Sequence, residues 1–177
     1  PFCESKDGNI WIGTQSGLYF FHAATRELSP YPIGGHDNQK YDIRSLLLDG
    51  DHLWIGTYAK GIRVVNLRTG AVKVYTHSRG IPYTICSNDV LCFYRGRNGE
   101  IYVGTSWGLC RYDAAKDNFM PIINIGSMIS ITDMHEDMYN HLWIATSSSG
   151  VFTYNTINGH YKNYQHERED STTITSN

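Results

Sequence analysis

The sequence lacks three features that would point to common classes of protein. No apolar run reaches the roughly 18 residues that a membrane-spanning helix needs. Fifteen Lys and Arg residues against 17 Asp and Glu residues leave a net charge of −2, so an electrostatic nucleic-acid footprint is not expected. No segment carries a sustained helical period of apolar residues. These absences argue against a membrane span within the chain, a nucleic-acid-binding module and a helical bundle.

The four cysteines show no metal-binding or redox spacing. No Cys-x-x-Cys pair occurs, and no histidine stands at zinc-finger spacing from a cysteine. Cys92 and Cys110 fall inside predicted strands, where a free cysteine behaves as a small apolar side chain of the core. We therefore predict no metal and no cofactor, and the thiols do not indicate the redox compartment.

The residues that are abundant indicate β structure. The chain has 13 Tyr, 6 Phe and 4 Trp together with 17 Gly. Short aromatic and β-branched runs separated by Gly, Asn and Asp are typical of strands joined by tight turns.

One four-residue segment returns four times along the chain. It is Trp-Ile-Gly-Thr or a close variant, and its copies begin 41 to 48 residues apart, at Trp11, Trp54, Tyr102 and Trp143. A turn rich in Gly, Asn and Asp precedes each copy, and a Gly followed by an apolar residue comes after it. A period of this length suits the four-stranded blade of a β-propeller.

The repeat assigns four strands to each unit, with the Trp-Ile-Gly-Thr segment as the second. Pro30 and Pro121 fall in the predicted fourth strand. Proline lacks the N–H that a central strand needs, so it fits the outer edge of a blade. The anchor aromatic is expected to wedge between neighbouring blades.

We therefore predict an all-β fold, a partial β-propeller of about four four-stranded antiparallel blades. The predicted blades are residues 1–40, with the first strand mostly missing, 41–86, 87–127 and 128–173. Residues 174–177 would begin a further blade. Because the chain starts at Pro1 and not at a methionine, we expect it to be part of a longer protein.

The repeated motifs resemble those of the two-component regulator propeller repeat. The resemblance rests on Gly-Asn-Ile-Trp-Ile-Gly-Thr at residues 8–14, on Gly-Leu-Cys-Arg-Tyr-Asp at residues 108–113, and on Ser87-Asn88 before a first strand. Ala145 replaces the anchor Gly, Tyr102 replaces the anchor Trp, and residues 63–66 diverge from the usual pattern. We interpret these departures as ordinary drift between repeats.

The resemblance implies a place in a signalling protein. Such repeats form the periplasmic sensor of hybrid two-component regulators, and the parent chain would be a histidine kinase anchored in the inner membrane. The ligand implied is an oligosaccharide released from a polysaccharide.

Most candidate catalytic residues fall on positions that the repeat copies. His52 and His141 stand in the same turn position, where other units have Asn9 and Glu100, and His77 and His166 both follow a fourth strand. We interpret them as solvated turn residues, because a metal site needs convergent ligands. Asp residues likewise sit at turns, and no nucleophile elbow or Walker loop is present.

The loops after the second and fourth strands of each unit share one face of a propeller, and we expect a ligand there. Aromatic faces beside polar groups suit sugar stacking, and basic side chains could meet an acidic sugar. The predicted ligand-binding residues are Tyr58, Lys60, Trp107, Arg44, Arg79 and Gln15.

The leading interpretation is a non-catalytic ligand-sensing module. Its partners would be an oligosaccharide and the neighbouring blades of the parent chain, with no direct contact to nucleic acid. Open end blades would expose apolar faces, so we also expect this chain to self-associate or to close as a four-blade ring. Two alternatives remain, a protein-binding scaffold and a propeller lyase or hydrolase.

Overall fold

The computed structural model describes residues 1–34, 40–122 and 129–166, and these form strands, turns and loops without a helix. No helix able to cross a membrane occurs in the described part of the chain. The sixteen strands are β1 Phe2–Glu4, β2 Ile10–Thr14, β3 Gly17–His22, β4 Glu27–Tyr31, β5 Ile43–Asp49, β6 His52–Thr57, β7 Ile62–Asn66, β8 Val72–Tyr75, β9 Val90–Arg95, β10 Ile101–Thr105, β11 Gly108–Asp113, β12 Asn118–Pro121, β13 Ile131–Glu136, β14 His141–Thr146, β15 Val151–Asn155 and β16 Tyr161–Tyr164.

The strands form four antiparallel sheets, each a meander of four consecutive strands. The all-β partial propeller that the repeat predicted is confirmed, and we call these sheets blades 1 to 4. The first strand of blade 1 is present but short, because β1 pairs with β2 over three residues only. The prolines Pro30 and Pro121 lie in β4 and β12, the last strands of their sheets, where the missing N–H breaks no inner ladder. The predicted start of a further blade at residues 174–177 lies outside the described residues.

The hydrophobic core consists of layers between neighbouring blades. Trp11, Trp54 and Tyr102 are each at most 4% exposed and belong to the layers that join blades 1 and 2, 2 and 3, and 3 and 4. Trp143 occupies the same position in blade 4, yet it is 41% exposed. The repeat therefore buries its anchor aromatic only where another described blade covers it.

The glycine two residues after the anchor of blades 1, 2 and 3 leaves room for the next blade. A Cβ on Gly13 would lie 2.5 Å from Cγ2 of Ile43, and one on Gly104 would lie 2.8 Å from Cγ2 of Ile131. Both contacts are far inside van der Waals distance, so the first strand of the following blade packs directly on glycine. Ala145 follows Trp143 on a face of β14 that no described strand covers, which explains why a methyl group is tolerated there.

Blades 2 and 3 and blades 3 and 4 meet mainly through their first strands, β5 against β9 and β9 against β13, whereas β5 packs on both β1 and β2 of blade 1. Among the described residues no strand of blade 1 makes a comparable contact with blade 4. The blades therefore form an arc, and the predicted closed four-blade ring is not formed within one chain. The expected self-association stays a prediction.

Candidate ligand site on the loop face

A threonine at the end of each second strand closes the loop that follows it. In all four blades the threonine hydroxyl donates to the carbonyl oxygen of the glycine that begins or precedes the third strand, at 2.7 to 2.9 Å. The Thr and Gly of the repeated motif thus hold these loops in one shape. The pairs are Thr14 with Gly17, Thr57 with Gly61, Thr105 with Gly108, and Thr146 with Gly150.

The same loops are tied to the segments that lead into the first strands. The backbone N–H of Tyr58 donates to the Asp42 carbonyl oxygen at 2.8 Å, and the N–H of Ser106 donates to that of Asp89 at 3.0 Å. Blade 4 has the equivalent bond from Ser147 to Ser130 at 3.1 Å. The two kinds of loop therefore lie side by side, and we call the surface they form the loop face.

A β-bulge turns Arg44 toward this face. The pairing of β5 with β6 skips Arg44, and the pairings of β9 with β10 and β13 with β14 skip Leu91 and Thr132 at the same position. Bulges re-aim a side chain relative to a regular strand. The Arg44 guanidinium carbon lies 5.4 Å from the centre of the Tyr58 ring, and Nη2 lies 2.7 Å from Oδ2 of Asp42. The structure therefore brings two of the predicted site residues together.

The three residues before β9 connect the loops of blades 2 and 3. They are Ser87, Asn88 and Asp89. The Asn88 side-chain oxygen accepts the His77 N–H at 2.6 Å, and its backbone oxygen accepts the Gly61 N–H at 2.9 Å. Asp89 accepts the Ala59 N–H at 2.6 Å, and Ser87 Oγ lies 2.9 Å from Ser106 Oγ. The Ser-Asn motif is thus a hydrogen-bonded link between adjacent blades.

Asn88→Ala should lower the free energy of unfolding by about 1–2 kcal/mol, since it leaves the His77 N–H without its acceptor. Hydrogen exchange should accelerate at His77 and in residues 78–86, while β14 of the remote blade 4 keeps its protection. Unchanged exchange at His77 would show that Asn88 does not hold this segment.

A cavity of about 390 Å³ opens beside Trp107, between residues 77–86 and blade 3. Its walls are mostly apolar, and Trp107 stands at its edge with 57% of its surface exposed. The Tyr83 carbonyl oxygen accepts the Phe119 N–H at 2.9 Å, so the segment also covers the outer strand β12. The lining residues are His77, Ile81, Pro82, Tyr83, Thr84, Ile85, Cys86, Trp107, Gly108, Leu109, Pro121 and Ile122.

His77 differs from its interpretation as a solvated turn residue. It is half-buried, its Nδ1 lies 2.8 Å from the Ile85 carbonyl oxygen, and its ring centre lies 6.5 Å from that of Trp107. Of the residues that line the cavity, only Trp107 was predicted from the sequence, and His77 and Tyr83 are among those that were missed. Because the repeat placed His77 at a position shared with His166, it was interpreted as an ordinary turn residue. Only the length of the segment before β9 indicated that this segment could line a cavity.

The structure does not bring the six predicted ligand residues together at one site. Trp107 lines the cavity, and Arg44 and Tyr58 form a separate exposed pair. Lys60 is half-buried, and its ammonium group donates to the Lys40 carbonyl oxygen at 2.8 Å and lies over the Tyr41 ring. Gln15 and Arg79 are exposed, and neither lines the cavity.

A second cavity, of about 460 Å³, lies between blades 2 and 3 beside Trp54. Its polar groups are paired with one another: Asp117 accepts hydrogen bonds from Tyr75 at 2.5 Å, from Tyr112 at 2.7 Å, and from Lys73. The bonds from Lys73 and Tyr75 lower the pKa of Asp117 to about 2. Burial, with Asp117 adding to it, raises the pKa of Tyr75. This cluster stabilises the contact between blades 2 and 3, and its polar groups are already paired with one another. We therefore place the candidate site on the loop face.

Comparison with known proteins agrees with this architecture. The family model described as the two-component regulator propeller matches residues 2–16 and 84–107. The second of these segments contains Ser87-Asn88 and Trp107. No curated protein sequence matches the chain significantly.

Solved propellers resemble the chain along almost its whole length. The extracellular domain of a protein described as a hybrid two-component system of B. thetaiotaomicron is 22% identical, with a TM-score of 0.80 over 99% of this chain and 23% of that one. A second such domain from the same organism is 23% identical, with a TM-score of 0.62 over 94% of this chain and 28% of that one. A virginiamycin B lyase from Staphylococcus aureus is 15% identical, with a TM-score of 0.73 over 95% of this chain and 55% of that one.

The chain spans about a quarter of the length of the two-component domains, and at these identities the likeness establishes the fold. The family match adds a sequence similarity to two-component regulator propellers, which the fold alone does not show. The chain is therefore a partial β-propeller, and two of its segments match the two-component regulator propeller family.

Proposed function

We propose that this chain is a non-catalytic, ligand-sensing segment of the propeller of a bacterial hybrid two-component regulator. The observation that carries the proposal is the exposed indole of Trp107 beside a cavity on the loop face, within a segment that matches the regulator propeller family. In this proposal the segment lies in the periplasm, its ligand is an oligosaccharide, and neighbouring blades of the parent chain complete the sensor.

The chemistry of the cavity edge supports a sugar ligand. An exposed indole offers a flat apolar face to the C–H groups of a pyranose ring. His77 and Thr84 also line the cavity; since Ile85 holds Nδ1 of His77, the Nε2 atom is the one that would hydrogen-bond a sugar hydroxyl. The Arg44 and Tyr58 pair is a second exposed aromatic with a cation beside it, which suits an acidic sugar.

Signalling would follow from differential binding. A ligand that contacts residues 77–86 and Trp107 bridges the loops of blades 2 and 3 and favours the arrangement of blades in which both are in place. Such a ligand biases a conformational equilibrium by the difference in its affinity for the two arrangements. The parent's kinase would read that equilibrium.

Trp107→Ala should weaken oligosaccharide binding about tenfold or more, a loss of about 1.4 kcal/mol, because the stacking surface is removed. Calorimetry of the intact sensor against a panel of neutral and acidic glycan fragments measures this. Tyr139→Ala is the matched control, since Tyr139 is an exposed aromatic residue in the turn before β14, away from the cavity. Equal affinity of the Trp107→Ala variant and the unaltered sensor would contradict the site, and no binding to any glycan by a sensor active in cells would contradict the ligand class.

A second candidate is a scaffold that binds a peptide. The cavity walls are mostly apolar, and Ile81 and Tyr83 expose more than half of their surfaces beside it. That surface fits an apolar peptide segment as well as a sugar. Binding of apolar peptides that Trp107→Ala abolishes, without any glycan binding, would favour this candidate.

A further inference from the structure

Two cysteine thiols meet beneath the Trp107 cavity. Cys86 lines the cavity at the end of residues 77–86, and Cys110 lies in β11, fully buried in the core layer between blades 2 and 3. Cys86 packs against the hydrophobic cluster that contains Cys110, and each thiol shifts the pKa of the other. Both are free thiols here, and nothing in their sequence spacing indicates the pairing.

We propose that Cys86 and Cys110 are a reactive dithiol that a small-molecule disulfide oxidises to an intrachain disulfide, which ties residues 77–86 to β11. The proposal stands independently of the proposed oligosaccharide ligand. It assigns Cys86 as the attacking thiol and Cys110 as the resolving thiol.

Access and acidity give the two thiols these different roles. Cys86 borders the cavity, so a small disulfide can reach its sulfur, whereas Cys110 is closed off within the sheet. Contact with the Cys110 thiol lowers the pKa of Cys86, while burial raises the pKa of Cys110. The thiolate is the nucleophile in disulfide exchange, so Cys86 reacts first.

The exchange with oxidised glutathione balances in two steps. The Cys86 thiolate attacks one sulfur of oxidised glutathione, forms a mixed disulfide and releases one glutathione thiolate. The Cys110 sulfur then attacks Sγ of Cys86 as its thiol proton passes to the departing second glutathione. Two protein thiols are oxidised and one disulfide is reduced to two molecules of glutathione.

The other two cysteines are placed where they cannot join this exchange. Cys92 lies in the separate core layer between blades 3 and 4, and its thiol donates to the Ile131 carbonyl oxygen at 3.5 Å. Burial raises the pKa of Cys92 to about 12. Cys3 packs in the layer between blades 1 and 2, and burial raises its pKa as well.

The disulfide would restrict the motion of the segment that forms one wall of the Trp107 cavity. It would close a covalent loop across β9, β10 and the Trp107 loop, which restricts the unfolded chain. Residues 77–86 form one wall of the cavity, so their motion relative to blade 3 would decrease.

The test treats the folded, reduced chain with oxidised glutathione near neutral pH and follows intact mass and peptide maps under non-reducing conditions. We expect loss of two hydrogen atoms and one cross-linked peptide pair that joins Cys86 to Cys110. Cys86→Ser should abolish the reaction. Cys110→Ser should stop it at a stable glutathione adduct on Cys86, whereas Cys3→Ser should behave as the unaltered chain.

Circular dichroism of each variant establishes that the blades are folded before oxidation. A stable glutathione adduct on Cys86 in the unaltered chain would overturn the proposal, because it would show that Cys110 does not resolve it. A cross-link to Cys3 or Cys92 would overturn it as well, and so would a reaction that occurs only in denaturant.

Discussion

Trp54→Ala should lower the free energy of unfolding by about 3–5 kcal/mol, the range for removing a large buried aromatic side chain. Trp54 is 4% exposed, its ring centre lies 4.9 Å from that of Tyr112 in blade 3, and it stacks parallel to Tyr75. Its removal enlarges the cavity that already lies beside Trp54 between blades 2 and 3, and rigid sheets cannot close the added space. Urea denaturation followed by circular dichroism measures the loss.

Trp143→Ala is the matched control, because the repeat places Trp143 at the same position of blade 4. It should cost about 1 kcal/mol, since Trp143 is 41% exposed and loses only its stacking on Tyr164 and its hydrogen bond to Asp137. Equal losses for the two variants would contradict the arc, because they would require another surface to cover blade 4 as blade 3 covers blade 2.

Gly56→Ala and Gly104→Ala should each lower the free energy of unfolding by about 1–3 kcal/mol through overpacking. A Cβ on Gly56 would meet Ser45 Oγ and would lie 2.7 Å from Cγ1 of Val90. A Cβ on Gly104 would lie 2.5 Å from the Cys92 sulfur and 2.8 Å from Cγ2 of Ile131. The neighbours that must move are buried residues of first strands, so the strain passes into the contact between blades.

Ala145→Val provides the control at the equivalent position of blade 4. It adds more volume than either glycine substitution, but no described strand packs on that face of β14. The change in unfolding free energy should stay within about 0.5 kcal/mol, as for surface substitutions. A loss as large as that of Gly56→Ala would show that the face is covered.

The candidate site was only partly predictable. Trp107 follows from the repeat, because the loop after a second strand is confined to one face of a propeller. The meeting of Arg44 with Tyr58 depends on a bulge that shifts one side chain out of the strand alternation, and no local signal marks that bulge. Lys60 lies near the predicted face, but a backbone oxygen holds its ammonium group, which is a tertiary contact.

The sequence by itself determined the blades, the order of their strands and the place of the anchor aromatics. Those features are local: a period of 41 to 48 residues, hairpin turns, and an aromatic, a glycine and a threonine in each copy. Only the tertiary structure decided which anchor is buried and which is exposed, where the Trp107 cavity opens, and that Cys86 meets Cys110. The physical reason is that these features depend on contacts between different repeats, which no pattern within a single repeat records.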